Sequence, residues 1–393
     1  LPPVPIPPPP GRCVTLSVGG AASVHVRSEL PSVLGWVSDY VRPWWTVHVT
    51  PGGEAAGTGP VVTAVLGEIG AQAAEVAAGA WTEVGYPRTA TRYARGRDGG
   101  TTIAVAPGDR VAYRWTPAAD RMEVRGERVP PLCRAAVRVA RELVRARLMA
   151  DGWVLLHASA AVLDGERTVL VLGGRGAGKS TVALALASRG ARLLGNDRVF
   201  ARPSAGGGVE LAPWPSGAAV GLGLMSALGW THIARRRLAA GAEPHPSQDP
   251  RVTGALLTGL SLPCRSGERE LKAHLRPEDL TGWCGLSGAS SGQVALVLHP
   301  AVRPGARPAI DAERAAVVAE ADFMTGRTED SYPDIFGLTS GVNAGTTPVR
   351  TEVAARLGTL PNETIVLGHD HHENAAFLAD LTERTNAAAP GAS

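Results

Sequence analysis

Gly173-Gly174-Arg175-Gly176-Ala177-Gly178-Lys179-Ser180 follows the spacing G-x-x-x-x-G-K-[ST], the signature of a P-loop or Walker A motif. An apolar, strand-like run, Thr168-Val169-Leu170-Val171-Leu172, leads into it, and a helix-like run from Thr181 to Arg189 leads out. Residues of these types at this spacing can hold a phosphate chain. Glycines let the backbone bend tightly and turn several N–H groups inward, so that phosphates meet a nest of donors at the positive end of a helix. Lys179 adds a full positive charge to the outer phosphates, and the Ser180 hydroxyl is placed to ligate the Mg²⁺ that bridges them. Nucleotide contacts are therefore expected from Gly173, Gly174, Arg175, Gly176, Ala177, Gly178, Lys179, Ser180 and Thr181. A Gly-rich turn that matched by chance would lack the Lys-Ser pair and the flanking strand and helix.

Two further side chains are brought to the same place by counting along the chain. A helix of about twelve residues runs roughly 18 Å from the phosphates, and a strand of about six returns roughly 20 Å. Asp197, after Arg192-Leu193-Leu194, is thus expected back at the level of the loop, at the carboxyl edge of one parallel sheet. A carboxylate there can accept the proton of an attacking hydroxyl, or hold the metal directly or through water. The bland alternative is a surface aspartate ending a strand.

His157 comes from the other side. Trp153 to Leu163 reads as a strand, and Asp164-Gly165 signals a hairpin between it and the strand entering the loop. A two-residue turn sets His157 opposite Leu172; a longer turn over Asp164 to Arg167 sets it opposite Gly174. Either register leaves His157 beside the mouth of the loop. Alternation puts Val154, Leu156, Ala158, Ala160 and Val162 on one face, and His157 and Ser159 on the other. A histidine near phosphates can hydrogen-bond one, orient a carboxylate or shuttle a proton, and it can equally be a structural group satisfied in the sheet.

Taken together, His157-Ala158-Ser159-Ala160, Gly173 to Thr181, and Arg189-Gly190-Ala191-Arg192-Leu193-Leu194-Gly195-Asn196-Asp197-Arg198-Val199 resemble the catalytic domain of HPr kinase/phosphorylase and its smaller relatives. The resemblance covers Leu155 to Val199. It implies an α/β P-loop domain that phosphorylates a hydroxyl: a serine in a carrier protein, free serine, or a peptide precursor of a natural product. It also implies that Asp197, the second of an acidic pair, is the base. The first of that pair is replaced by Asn196, which can hydrogen-bond but cannot neutralise a metal. No counterpart is visible of the glutamate that completes metal binding in the bifunctional enzymes, nor of their later signature segment. The resemblance therefore implies a forward kinase rather than a regulated kinase/phosphorylase.

Length and composition frame these motifs. With 393 residues the chain has room for a nucleotide-binding domain and a second domain. The net charge of +3 argues against nucleic-acid binding driven by overall charge. Only two lysines occur, Lys179 and Lys272, so the retained Lys in the loop is consistent with a positional demand. Cys13, Cys133, Cys264 and Cys284 form no C-x-x-C pair, which speaks against a disulfide framework or zinc site and for a reducing cytoplasm. Neither a signal-like leader nor a run of eighteen apolar residues is present, so a soluble, intracellular chain without membrane contact is expected. Leu rather than Met stands first, which leaves the natural start open.

The elements around the motifs divide into a Pro-rich tail (1–12), a β-rich N-terminal module (13–129), the catalytic domain (130–300, with 130–150 a bridging helix) and a C-terminal extension (301–393) with a disordered tail. Leu1 to Pro10 should be extended polyproline. Strands are expected at Val14 to Val18 and Val24 to Val26 around Gly19-Gly20, at Trp44 to Val49 stopped by Pro51-Gly52-Gly53, at Thr101 to Val105 and at Val111 to Trp115. The tryptophans there are read as core. In the bridging helix Leu132, Ala136, Val139, Leu143 and Arg147 share one face, with arginines on the other.

Pro213-Trp214-Pro215-Ser216-Gly217 reads as a rigid loop able to shape an acceptor site, and Arg235-Arg236-Arg237 with Glu243 to Arg251 as a mobile surface excursion. Glu270-Leu271-Lys272 reads as a strand with Lys272 exposed, Gln293 to Leu298 as a strand closing the sheet, and Pro300 to Pro308 as the linker leaving it. An Ala-rich helix is expected near Ala312 to Ala321, followed by Tyr332-Pro333-Asp334-Ile335-Phe336. Gly368-His369-Asp370-His371-His372-Glu373 is read as a helix-capping, solvated cluster or part of the acceptor pocket in preference to a metal centre, ahead of a short helix.

The expectation is an ATP- or GTP-dependent kinase using Mg²⁺ and acting on a hydroxyl-bearing small molecule or peptide, with homo-oligomerisation left open. Lys179 and the loop amides hold phosphates, Ser180 and Asp197 face the metal, Asp197 takes the acceptor proton, and His157 assists. The rival from another class is a nucleotide-gated interaction protein or switch with slow hydrolysis.

Overall fold

The protein is described from a computed structural model over residues 12–50, 58–86, 89–96, 100–325, 333–339 and 344–387. The polyproline stretch, the Pro51-Gly52-Gly53 stop, Tyr332 and the end of the tail lie outside these residues. The chain divides into two compact units: 1–41, 45–151 and 326–343 form the first, and 42–44, 152–325 and 344–393 the second.

The first unit is built on a nine-stranded mixed sheet. Its spatial order is Thr46–Thr50, Arg12–Val18, Ala22–Ser28, Val61–Leu66, Arg121–Gly126, Val111–Thr116, Thr102–Ala106, Ala90–Arg95 and Trp81–Gly85. The hairpin around Gly19-Gly20 forms as expected, with both glycines at positive φ and Leu16 opposite Val24. Trp45 and Trp115 are core, whereas Trp81 is exposed. The helix Val129–Ala150 packs on this sheet and buries Leu132, Ala136, Val139 and Leu143, as the apolar period requires. It belongs to the first unit and not with residues 152–300. Arg147, expected on the buried face, is exposed and paired with Asp120; the buried arginine is Arg145, 3.3 Å from Glu142.

In the second unit we label β1 (Val154–Leu156), β2 (Ser159–Val162), β3 (Arg167–Val171), α1 (Lys179–Ala187), β4 (Arg192–Gly195), β5 (Val199–Pro203), β6 (Val209–Pro213), β7 (Gly292–Val302), α2 (Thr347–Thr359), β8 (Asn362–Leu367) and α3 (His371–Ala387). The sheet order is β1-β5-β6-β7-β3-β2-β4, with β8 added parallel to β7. The sheet is mixed, so the expected all-parallel edge is corrected. Strand β3 is parallel to β7, while β2 runs antiparallel between β3 and β4. Strands β3 and β4 still point the same way, which is what delivers the residues after β4 to the level of the loop.

Other expectations are also corrected. The strand over Gln293 to Leu298 is central rather than closing, and it continues through Pro300 to Val302. Residues 344–387 are not an extension, because β8 extends the sheet and α3 packs on α1. Helix α3 runs over 17 residues rather than a short stretch. No α-helix forms over Ala312 to Ala321; only a short 3-10 turn, Glu320–Asp322, begins at its end. Arg314 instead donates to the carbonyls of His299, Pro300 and Ile365, and Thr364 Oγ1 donates to those of Asp311 and Arg314. Those bonds fix an irregular strap where alanine content favours a helix, a weak preference readily overridden. Trp214 is not on a free loop but is buried, edge-on to Phe200 at 5.5 Å.

His299, on β7, is 8% exposed. Burial lowers its pKa below the ordinary 6.5; Arg314 acts in the same direction, against the Asn362 hydrogen bond and Asp322. The fold thus favours the neutral ring. Its contribution is complete above the unfolded pKa near 6.5 and is lost as pH falls from there towards the lower folded value. His25 in the first unit is shifted the same way by burial and by Arg27. The thermal midpoint should therefore fall between about pH 7 and 5. His299→Gln should flatten part of that slope in a series of melts; an unchanged slope would remove His299 from the account.

Candidate active site

Strand β3 ends at the loop, and its pairing continues one residue further, Leu172 N donating to Leu298 O at 2.9 Å. Gly173, Gly176 and Gly178 have φ of 131°, 82° and 108°, conformations that favour glycine. Gly178 caps α1, and a Cβ there would lie 2.8 Å from Val302 Cγ2. Gly174, Arg175 and Gly176 form the exposed rim of the loop. Ala177 N donates to Gly174 O at 3.2 Å, and Thr181 sits half-buried in the first turn of α1. Lys179 is only 7% exposed, and its Nζ donates to Gly173 O at 2.6 Å and Gly174 O at 3.3 Å. The ammonium is thus held inside the bend that the glycines make.

The second half of the site comes from an interruption shared by two lines of strand. Strands β1 and β2 form one line broken at His157-Ala158; β4 and β5 form another broken at Asn196-Asp197-Arg198. Leu156 pairs with Val199 on one side of the gap and Ala160 with Gly195 on the other, in the same antiparallel register, which shifts by one residue between Ala160 and Ala161. Across the gap that register sets His157 against Arg198 and Ser159 against Asn196. His157 N is held by Asp322 O at 2.7 Å. Ser159 Oγ donates to Asn196 O, and Ser180 Oγ reaches the same carbonyl at 3.5 Å. One backbone oxygen therefore ties the broken strand, the segment after β4 and the first turn of α1 together.

His157 Nε2 lies 3.4 Å from Asp197 Oδ1, and an Arg198 guanidinium nitrogen lies 3.3 Å from Asp197 Oδ2. The Asp197 side chain is 32% exposed, so the carboxylate is anchored yet open to a reactant. Burial pushes its pKa up, but the His157 hydrogen bond and the charges of Arg198, His157 and Lys179 outweigh that and leave it below the ordinary 3.8. The carboxylate is ionised at neutral pH. It can accept a proton in flight or face a cation, and Lys179 is near enough to be felt by it.

No protein-family model matches the chain, and no curated protein matches it. Among solved structures it is similar to the Hpr(Ser) kinase/phosphatase from Coxiella burnetii, at 11% sequence identity and a TM-score of 0.25, covering 59% of this chain and 93% of that one. A likeness that remote carries neither the fold nor the chemistry, which rest on the geometry of this chain.

The hard oxygen donors near the loop, the Ser180 hydroxyl and the Asp197 carboxylate, suit Mg²⁺. Asn196 is 6% exposed and its Oδ1 has no hydrogen-bond partner among the described residues. Among those residues no group of three His, Cys, Asp or Glu is arranged to hold a metal ion. The donor set fits a cation that brings phosphate oxygens with it better than one held by protein alone.

The predicted residues assemble with two adjustments. The turn closed by the Leu163 N to Arg167 O bond has three residues, Asp164 to Glu166, with Gly165 and Glu166 both at positive φ. Ser159 therefore pairs with Val171, a register between the two expected, and His157 itself stands outside the ladder. Arg198 joins the site with no sequence-derived role, its adjacency to Asp197 being the one signal of it. At the C-terminal cluster, Asp370 Oδ1 accepts from Glu373 N at 3.0 Å, which is the capping reading. Lys272 is exposed. No helix among the described residues is long and apolar enough to cross a membrane.

Gly195 governs the turn. A Cβ there would lie 2.6 Å from Arg198 O and 2.6 Å from Val199 Cγ1. Gly195→Ala must open the turn that aims Asp197, at a cost of about 1–3 kcal/mol. Chemical denaturation should register that loss, together with weakened catalysis at unchanged nucleotide affinity.

Proposed function

We propose that this chain is a kinase that transfers the γ-phosphoryl group of ATP or GTP to a hydroxyl acceptor, either a serine-like residue of a peptide or protein or a small metabolite. The observation that carries the reading is the Asp197 carboxylate, bridged by His157 and Arg198 at 3.4 and 3.3 Å and within the field of Lys179 at the end of the glycine loop. Phosphoryl transfer depends on positioning and charge neutralisation more than on strong acids or bases, so an ionised carboxylate of low pKa is suited to orient the attacking hydroxyl and receive its proton.

In this reading the loop amides and Lys179 bind the phosphates. Mg²⁺ held by Ser180 and Asp197 would neutralise phosphate charge. His157 and Arg198 fix the carboxylate, His157 from the broken strand and Arg198 from the same turn. The remote likeness to an HPr kinase/phosphatase is compatible with this but adds no weight. The shared break in two strand lines supports a built active site, since a nucleotide switch needs the loop but not a paired base beside it.

The test is nucleotide turnover with and without a panel of alcohols and serine peptides, using γ-labelled nucleotide and mass spectrometry of the products. A kinase releases the diphosphate only with an acceptor present and labels that acceptor. Binding of nucleotide with slow, acceptor-independent hydrolysis would instead establish the switch.

A further inference from the structure

Between β6 and β7 the second unit carries a long excursion. Ala218–Val220 pairs with Ala273–Leu275 at its neck, and the helices Leu222–Ala227, Trp230–Ala239 and Pro250–Thr258 and the hairpin Cys264–Ser266/Arg269–Leu271 lie beyond. The neck is tight: a Cβ on Gly217 would be 2.5 Å from Leu275 O. Its root lies beside the site, because Pro213, the last residue of β6, pairs with Val199, two residues after Asp197.

The surface of this excursion differs from the rest of the chain. Beyond the neck, residues 221–272 hold seven Lys and Arg against four Asp and Glu, a net +3 that equals the net charge of the whole chain. Arg235, Arg236, Arg265 and Arg269 are exposed, and none enters an ion pair among the described residues. Three of the exposed large apolar side chains are here too: Leu257, Leu260 and Leu262, at 42%, 46% and 66%. The two features adjoin at Arg235, one of whose guanidinium nitrogens lies 3.4 Å from the position a Cβ would take on Gly259, in the turn between Leu257 and Leu260.

We infer that this basic, leucine-bearing face docks an acidic amphipathic segment of a polypeptide acceptor, so that the hydroxyl to be phosphorylated lies on the same chain and reaches Asp197 along the neck. The inference rests on the proposed kinase activity and narrows its substrate to a peptide or protein. Unpaired guanidinium groups around apolar side chains fit carboxylates flanking a hydrophobic stripe, with charge supplying orientation and leucines the buried contact. Attachment beside the site favours a polypeptide, which can dock on the excursion and extend to the carboxylate. Three leucines with no exposed aromatic beside them make a poor anchor for a lipid surface.

The experiment uses the full chain and a fluorescein-labelled acidic helix-forming peptide of about sixteen residues, with Leu at i, i+3 and i+4 spacing and Glu elsewhere. Its counterpart carries Lys for every Glu. Anisotropy should show binding of the acidic peptide alone, weakened by salt. Arg235→Glu with Arg236→Glu, and separately Leu260→Ser with Leu262→Ser, should each weaken it about tenfold or more. The milder Arg235→Gln should weaken it less, and nucleotide affinity and melting should be unchanged in all three.

Equal binding of both peptides, or affinity indifferent to these substitutions, overturns the docking. So does binding to phosphatidylglycerol vesicles without binding to the acidic peptide. Turnover of a small alcohol by a chain that ignores the peptide would overturn the docking and leave the kinase. Specific peptide binding without turnover of any acceptor would overturn the kinase and leave the docking face.

Discussion

Asp197→Asn is expected to slow acceptor-dependent phosphoryl transfer by about a hundredfold to ten-thousandfold, with nucleotide affinity changed little. The amide keeps the size and one oxygen of the carboxylate, so the turn fixed by Gly195 and the Asn196 carbonyl should survive. It loses the negative charge that His157 and Arg198 surround at 3.4 and 3.3 Å. The Arg198 guanidinium then faces a neutral group, and the incoming hydroxyl has no anion to receive its proton. Single-turnover transfer of labelled phosphate, set against calorimetric nucleotide binding, separates the effects. Transfer at the parental rate would remove Asp197 from the chemistry. Asp197→Ala tests geometry as well and should be no faster. His157→Gln should be milder, because Arg198 and Lys179 still hold the carboxylate ionised.

The second large effect is on binding. Lys179→Ala should lower nucleotide affinity by about two orders of magnitude, since a buried, hydrogen-bonded charge opposite phosphate is typically worth 2–5 kcal/mol. The ammonium donates to two carbonyls of its own loop, Gly173 and Gly174, and its removal deprives both of that donor. Lys179→Arg should recover little: the forked guanidinium cannot occupy a bend shaped for one nitrogen 2.6 Å from a carbonyl. Titration with a fluorescent nucleotide analogue reads both variants, and retention of parental affinity in Lys179→Ala would mean that the loop does not hold phosphate.

Much of the site could be read from local pattern. The loop announces itself because glycine and lysine are each demanded by backbone geometry or charge, and few other folds require that order. The face shared by Val154, Leu156, Ala158, Ala160 and Val162 is the one that packs into the core beside Leu170 and Leu194. Alternation persists across the break at His157 because the register persists.

What stayed hidden depends on partners far along the chain. The antiparallel hairpin of β2 with β3 is signalled by Asp164-Gly165, but its three-residue turn with positive φ at Glu166, and the place of β4 on the other edge of β2, are not. That β7 is central and β8 joins it follows from pairings over more than sixty residues. The strap at Ala312 to Ala321 looks helical by composition, yet carbonyls on β7 and β8 compete for Arg314 and win. Arg198 was in plain sight, but only the folded turn shows that its guanidinium shares a carboxylate with a histidine forty-one positions earlier.

The matched gap in the two strand lines bears on which changes of length the chain can absorb. Side chains alternate along a strand, so one residue gained or lost between Leu156 and Ala160, or between Gly195 and Val199, would turn one line over relative to its neighbour. His157 and Asp197 would then project to opposite sides of the weave, however faithfully each was retained. The β6–β7 excursion hangs outside that weave and can lengthen, shorten or be exchanged without disturbing the pair. Related chains should therefore keep the residue count strict in these two lines and let it drift beyond Pro213, where a new clientele could be acquired at small structural cost.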